Sequence, residues 1–275
     1  MCRSTYGTAA AGLIAGAFCM ALTADVAAQS SAPDFSANQA AWIATSNDFI
    51  APAQGPKPVS FDPAHPYVPN NPRRQATFRI ADLSNPNLRP WAKEQMQKSN
   101  AAVLGGKVAF TPRSSCLPAG VPAFMLFIVE PVFFVQSQSE VLIIYSGDQQ
   151  VRHVYLDVPH SANPKPSWYG ESVGHYENGA LVIDTVGFNE RTFVDNYRTP
   201  HTDKLHVVER WQLVDGGRIL EVALTVDDPD TFLAPWSGIQ RYRRIQETMG
   251  EQVCAENNTA ALFDYHVPVA DKPDF

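Results

Sequence analysis

Gly170-Glu171-Ser172-Val173-Gly174 carries the G-x-S-x-G spacing of a nucleophile elbow, where a strained strand-to-helix turn exposes a serine and Asp and His follow in chain order. Asp184 follows here, and then His201 and His206. The surroundings do not suit an elbow. His175-Tyr176-Glu177-Asn178-Gly179 leads straight into the apolar run Ala180–Val186, which puts Ser172 in a hairpin and not ahead of a helix. No oxyanion loop of the HGGG type is present. A serine hydrolase using Ser172 is therefore the third of three readings. The plainer account sets Ser172, Gly174 and Tyr176 on one strand face, with Gly174 admitting a neighbouring strand or ring.

Acid–base chemistry has other candidates. His160 lies in Asp157-Val158-Pro159-His160-Ser161-Ala162-Asn163-Pro164, a loop leaving a strand shortly before Trp168-Tyr169. A loop histidine beside aromatics is placed to act as a general base. Glu209 shares a strand face with Trp211, and if that face points inward its carboxylate needs a cation or a raised pKa. Arg152, Arg241, Arg243 and Arg244 could supply the cation. Asp184 or Tyr176 could orient or donate a proton, and Arg152 or Arg210 could hold an oxyanion. The first reading is thus a cofactor-independent lyase, isomerase or hydratase acting on a hydrophobic or aromatic small molecule. The second is a binding or carrier protein without chemistry, its ligand lined by Trp168, Tyr169, Trp211 and Trp236. The commoner role for His160 is a solvated loop residue, and for Glu209 a buried structural ion pair. No HExxH or zinc-finger spacing occurs, so the sequence implies neither metal nor cofactor.

These residues sit on short strands separated by turn signals. The runs Val132–Gln136, Glu140–Tyr145, Val151–Leu156, Glu171–Glu177, Ala180–Val186, His206–Val214, Ile219–Asp227 and Ile239–Ile245 read as strands. Ser146-Gly147-Asp148, Asn178-Gly179 and Asp215-Gly216-Gly217 read as turns, Asn-Gly being the strongest short hairpin signal. Eight strands without intervening helices predict a mainly β fold, an antiparallel up-and-down barrel of lipocalin-like or calycin-like form with a ligand in its lumen. The barrel domain is expected over 116–258, with a tail at 259–275.

The segment 29–115 is rich in proline, from Pro52 through Pro90, and reads as an extended wrap on the barrel. Phe49, Phe61, Tyr67, Phe78 and Trp91 are expected to pack. Short helices are expected at Asn38–Ser46 and at Leu88–Ser99, the second capped by Asn87 with Leu88, Trp91, Gln95 and Met96 on one face. Residues 1–28 read as a secretory signal, with Arg3, an apolar stretch from Ala9 to Leu22 and a small-residue cleavage site ending at Ala28. The product is expected to be exported, periplasmic or secreted, without membrane insertion. Cleavage would remove Cys2 and Cys19 and leave Cys116 and Cys254 as one disulfide, a reactive thiol being the alternative. Lys and Arg number 21 against 28 Asp and Glu, a net charge of −7, which argues against a nucleic-acid partner.

Several of these stretches together resemble a family. Cys116-Leu-Pro-Ala-Gly-Val-Pro122, Trp168-Tyr-Gly-Glu-Ser-Val-Gly174, Leu205-His-Val-Val-Glu-Arg210, Val226-Asp-Asp-Pro229, Pro235-Trp236 and Cys254-Ala-Glu-Asn257 are similar to motifs of a family of exported proteobacterial and acidobacterial hypothetical proteins. The resemblance spans roughly residues 86 to 258 in order. It implies export and paired cysteines and carries no activity. Where such proteins more often have Trp-Glu-Gly-Asp before the Leu-Val strand, this chain has Tyr176-Glu177-Asn178-Gly179, which keeps a hairpin with a different tip.

Overall fold

The computed structural model describes residues 32–68, 79–107, 109–148 and 150–254. The expected signal at 1–28, the tail at 259–275 and Phe78 lie outside the described residues. Strand β1 (Ala40–Ala44) stands where a helix over Asn38–Ser46 was expected. Asn38 and Gln39 take left-handed φ of 56° and 55°, which stops a right-handed helix from propagating into Ala40. The five β1 side chains are all buried, so this apolar stretch shows neither helical nor strand periodicity. Trp42 Nε1 donates to Phe35 O at 2.8 Å.

The other strands follow the sequence pattern. They are β2 (Val132–Gln136), β3 (Glu140–Tyr145), β4 (Val151–Leu156), β5 (Glu171–Glu177), β6 (Ala180–Val186), β7 (His206–Val214), β8 (Ile219–Asp227) and β9 (Trp236–Gln246). They form one closed barrel in chain order, β1 through β9. β1 closes the ring by pairing along β9 from Ala40↔Gln246 to Ala44↔Tyr242 and by touching β2 at Trp42↔Val132. The N-terminal segment therefore contributes a barrel strand and does not only wrap the outside.

The expected all-antiparallel, eight-stranded order is corrected to nine strands with one parallel joint. A closed ring of alternating strands needs an even number, so a ninth strand forces a pair to run the same way. That pair is β4–β5, registered by Val154↔Ser172, Tyr155↔Val173 and Leu156↔Gly174. Segment 157–170 carries the chain from the end of β4 back to the start of β5, opening on Asp157 at φ 56° and closing on Gly170 at φ 67°. A Cβ on Gly174 would meet Val182 O at 2.8 Å and Val154 Cγ1 at 2.9 Å, the close approach expected from sequence. Asn178-Gly179 forms its hairpin with both φ positive, 48° and 74°, as a type I′ turn requires.

Helix α1 (Pro90–Leu104) begins with proline in its first turn and has no side-chain cap. Asn87, expected as that cap, instead clamps Ala234, donating Nδ2 to its O at 2.8 Å and accepting its N–H on Oδ1 at 3.0 Å. The helix buries Ala92, Met96, Asn100 and Val103, one face at i, i+4 and i+8 spacing. Gln95 is exposed and Trp91 only partly buried, so the expected apolar face is rotated. Of the wrap aromatics, Phe49 is buried against Trp236 at 5.8 Å, whereas Phe61 is 45% exposed. Among the described residues no helix is long and apolar enough to cross a membrane.

Large side chains fill the interior. Phe124, from the 3-10 turn Ala123–Leu126, meets Tyr145, Tyr169 and Trp211 at 6.1, 5.7 and 6.5 Å. Trp211 also meets Phe134 at 5.5 Å and stacks on Tyr242 at 5.8 Å. Cys116 and Cys254 form a disulfide across 138 residues of chain, which in the loop-closure account stabilises the fold by about 5 kcal/mol. Replacing both cysteines by serine is expected to lower the unfolding free energy by about that amount in urea titrations. An unchanged urea midpoint would show that the link does not restrain the unfolded chain.

Candidate functional site

Arg152 on β4 and Glu209 on β7 point into the barrel and are 2% and 0% exposed. The guanidinium makes a two-pronged contact to the carboxylate, Nη1 to Oε1 at 3.1 Å and Nη2 to Oε2. It also donates Nε to Ser172 Oγ on β5 at 3.0 Å and Nη2 to Thr185 Oγ1 on β6 at 2.8 Å. Of the four arginines weighed for Glu209, Arg152 is the partner. Ser172 and Thr185 are hydrogen-bonded to each other at 3.0 Å, and these contacts bring no histidine to the Ser172 hydroxyl. Among the described residues, the hydrogen-bond partners of Ser172 Oγ are Arg152 and Thr185, neither of them the base that activates a serine nucleophile. Trp211 Nε1 and Tyr242 Oη are buried without a hydrogen-bond partner among the described residues. Burial raises the Tyr242 phenol well above its usual pKa, and Glu209 adds to the shift.

A second polar group lies on the outer wall. His160 sets Nδ1 3.1 Å from Glu171 Oε1 and Nε2 3.0 Å from Asp184 Oδ1. His206 Nε2 reaches the same Asp184 oxygen at 2.8 Å. Ser161 donates its N–H and its hydroxyl to Glu171, both at 2.7 Å. These hydrogen bonds, those from the Ser161 hydroxyl foremost, hold the Glu171 carboxyl below its usual range. The arrangement pins segment 157–170 to β5 and β6, with His206 of β7 sharing Asp184. His160 and Asp184 thus meet, as the sequence allowed, but they do so away from Glu209. Register pairs Asp184 with Val208 and Ile183 with Glu209, so Asp184 and Glu209 face opposite sides of the wall. Among the described residues no group of three or more His, Cys, Asp or Glu is arranged to hold a metal ion.

The remaining sequence candidates are dispersed. Tyr176 Oη accepts from Gln136 Nε2 at 2.8 Å. Tyr169 Oη donates to Asp148 at 3.0 Å, whose carboxyl is raised by burial. Arg210 is ion-paired with Glu177 at 2.7 Å, and Trp168 carries the Arg191 guanidinium 6.0 Å above its ring. Trp236 is buried between Phe49 and Phe232. Protein side chains therefore occupy the positions where a ligand in the lumen was expected.

A groove of about 1070 Å³ lies instead outside the barrel, between α1 and the loop 190–202. Trp91, Phe110 and Phe193 supply aromatic surface. Arg89, Lys98, Lys107 and Arg198 line it against two acids, Glu190 and Asp230, a positive bias in a chain of net charge −7. Lys98 is paired with Glu94 on the exposed helix face and Asp230 with Lys204. His201 is buried and neutral, donating Nδ1–H to Thr202 O at 3.0 Å and accepting the Thr192 hydroxyl on Nε2 at 2.7 Å. Burial lowers its pKa. The sequence reading missed this site, because Arg198, Phe193 and Lys98 belong to no motif, and Trp91, Gln95 and His201 were read for other roles.

The loop wall is built on Asp195. Its carboxylate accepts Tyr197 N at 2.8 Å, Thr199 N at 3.2 Å and Thr199 Oγ1 at 2.7 Å, folding a turn in which Arg198 takes φ 60°. Burial pushes the Asp195 carboxyl up to about 6. The folded state then binds a proton more tightly than the unfolded chain, so this group's contribution to stability falls as pH rises from the usual 3.8 to about 6.

Two outcomes follow. Glu209→Gln leaves Arg152 buried without its counter-charge and is expected to lower stability by roughly 3–5 kcal/mol, part of which Arg152→Met restores in the double variant. A loss under about 1 kcal/mol in urea titration would refute the dependence on this pair. For Asp195, the unfolding free energy of wild type minus that of Asp195→Asn should fall by roughly 2 kcal/mol between pH 4 and pH 7. A difference that stays flat over that window would mean the carboxyl is already ionised in the fold at pH 4. No family model, curated protein or solved structure matches this chain, and the reading of its function rests on its own residues.

Proposed function

We propose that this is an exported small-molecule-binding protein whose hydrophobic or aromatic ligand lies in the groove between α1 and loop 190–202. The groove itself carries the reading. It has the volume of a small-molecule site and presents Trp91, Phe110 and Phe193 beside polar groups, the mixture that ligand pockets use. The filled barrel interior argues the same way, since Trp211, Phe124, Phe134 and Tyr242 pack on one another there. His160 and Asp184, the proton-transfer candidates, hold segment 157–170 to the wall. Export is supported by the signal-like first 28 residues and by the disulfide, which belongs to oxidising compartments. The acidic balance supports a partner other than nucleic acid.

The neutral dye N-phenyl-1-naphthylamine serves as a probe. Trp91→Ala, and Ala102→Trp, which fills the groove from the helix side, are each expected to weaken its binding at least tenfold in fluorescence titrations. Trp211→Phe inside the barrel is expected to leave binding within twofold. The opposite pattern, loss with Trp211→Phe and none with the groove variants, would return the ligand to the lumen.

A further inference from the structure

Among the described residues two arginines are almost wholly buried, and their surroundings treat them differently. Arg152, 2% exposed, is neutralised by Glu209. Arg198 is 4% exposed and forms no ion pair among the described residues. Asp195, whose field reaches it, commits its oxygens to Tyr197 and Thr199. A buried guanidinium without a contacting anion is an unfavourable arrangement unless something supplies the charge.

The side chain is held in place. Arg198 donates Nε to Ser99 Oγ on α1 at 2.6 Å and Nη2 to Arg79 O at 2.8 Å. With those two nitrogens fixed, Nη1 is left without a hydrogen bond among the described residues, on a side chain that lines the groove. The left-handed backbone at φ 60° is a strained conformation for an arginine and is maintained by the Asp195 turn. A guanidinium tied at two nitrogens and open at the third is preorganised to receive an oxyanion.

We infer that Arg198 is the specificity-determining residue of the groove, and that the ligand is an amphiphilic organic anion. Its apolar or aromatic body lies along Trp91 and Phe193, and its single carboxylate or sulfonate sits on Arg198. This rests on the groove being the ligand site. Arg89 and Lys107 add a positive rim. His201, with both ring nitrogens bonded, contributes surface and no charge.

Two dyes with the same naphthylamine body separate the claims: neutral N-phenyl-1-naphthylamine and anionic 8-anilinonaphthalene-1-sulfonate. Arg198→Gln is expected to weaken the anionic dye at least tenfold and the neutral dye less than twofold, whereas Trp91→Ala weakens both. Ser99→Asp is the second variant, in case the loop does not tolerate Arg198→Gln. It sets a carboxylate against the guanidinium, and should cause the same selective loss while raising the melting temperature. Equal effects on the two dyes in both the Arg198 and Ser99 variants, with Trp91→Ala still weakening both, would overturn the anion assignment alone. Binding of both dyes that ignores Trp91→Ala would overturn the groove as the ligand site, and the anion assignment with it.

Discussion

The barrel depends on one guanidinium. Arg152 reaches Ser172, Thr185 and Glu209, so a single side chain on β4 ties four successive strands across the interior. It does so across one of the thinner joints of the ring. The β4–β5 joint is the parallel one and is held by three register pairs, whereas β7 and β8 share nine. Parallel pairing is also slightly less stable per residue. Glu209 takes two of the guanidinium's hydrogen bonds, Ser172 and Thr185 supply further acceptor oxygens, and Phe124 covers the cluster with its ring 5.9 Å from the guanidinium carbon. The buried polar positions Ser172, Thr185 and Glu209 are explained by this one demand.

Much of the barrel was legible because its strands alternate. In β4 and β7 burial alternates residue by residue, and the face that the sequence gives to Glu209 and Trp211, without saying which way it points, is the inward one. β1 was not legible. Ala40–Ala44 is buried at every position, so no period marks it, and its pairing depends on β9 far along the chain. The parallel joint was hidden for another reason. Strand direction is decided by whether segment 157–170 doubles back or traverses the barrel, and its composition reads as loop in either case.

The site was less legible than the fold. Glu209, Asp184 and Tyr176 were all open as partners of His160, and Asp184 is the one that meets it, but nothing local says that Glu209 faces the other way. Arg198 has no signature, since its importance comes from what does not contact it. A missing counter-charge is a property of three segments brought together, 79, 99 and 195–199. Residue spacing along one segment cannot report it.

The strand that closes the ring also sets an order of events. β1 lies ahead of every other strand and pairs with β9, the last. A chain made from its N-terminus therefore presents Ala40–Ala44 as an unpaired apolar edge until residues 236–246 have emerged. Cys116 waits in the same way for Cys254. Closure is thus a late, non-local step with a large loop-closure entropy, and until then both rims of the growing sheet stay open to wrong pairing with another chain.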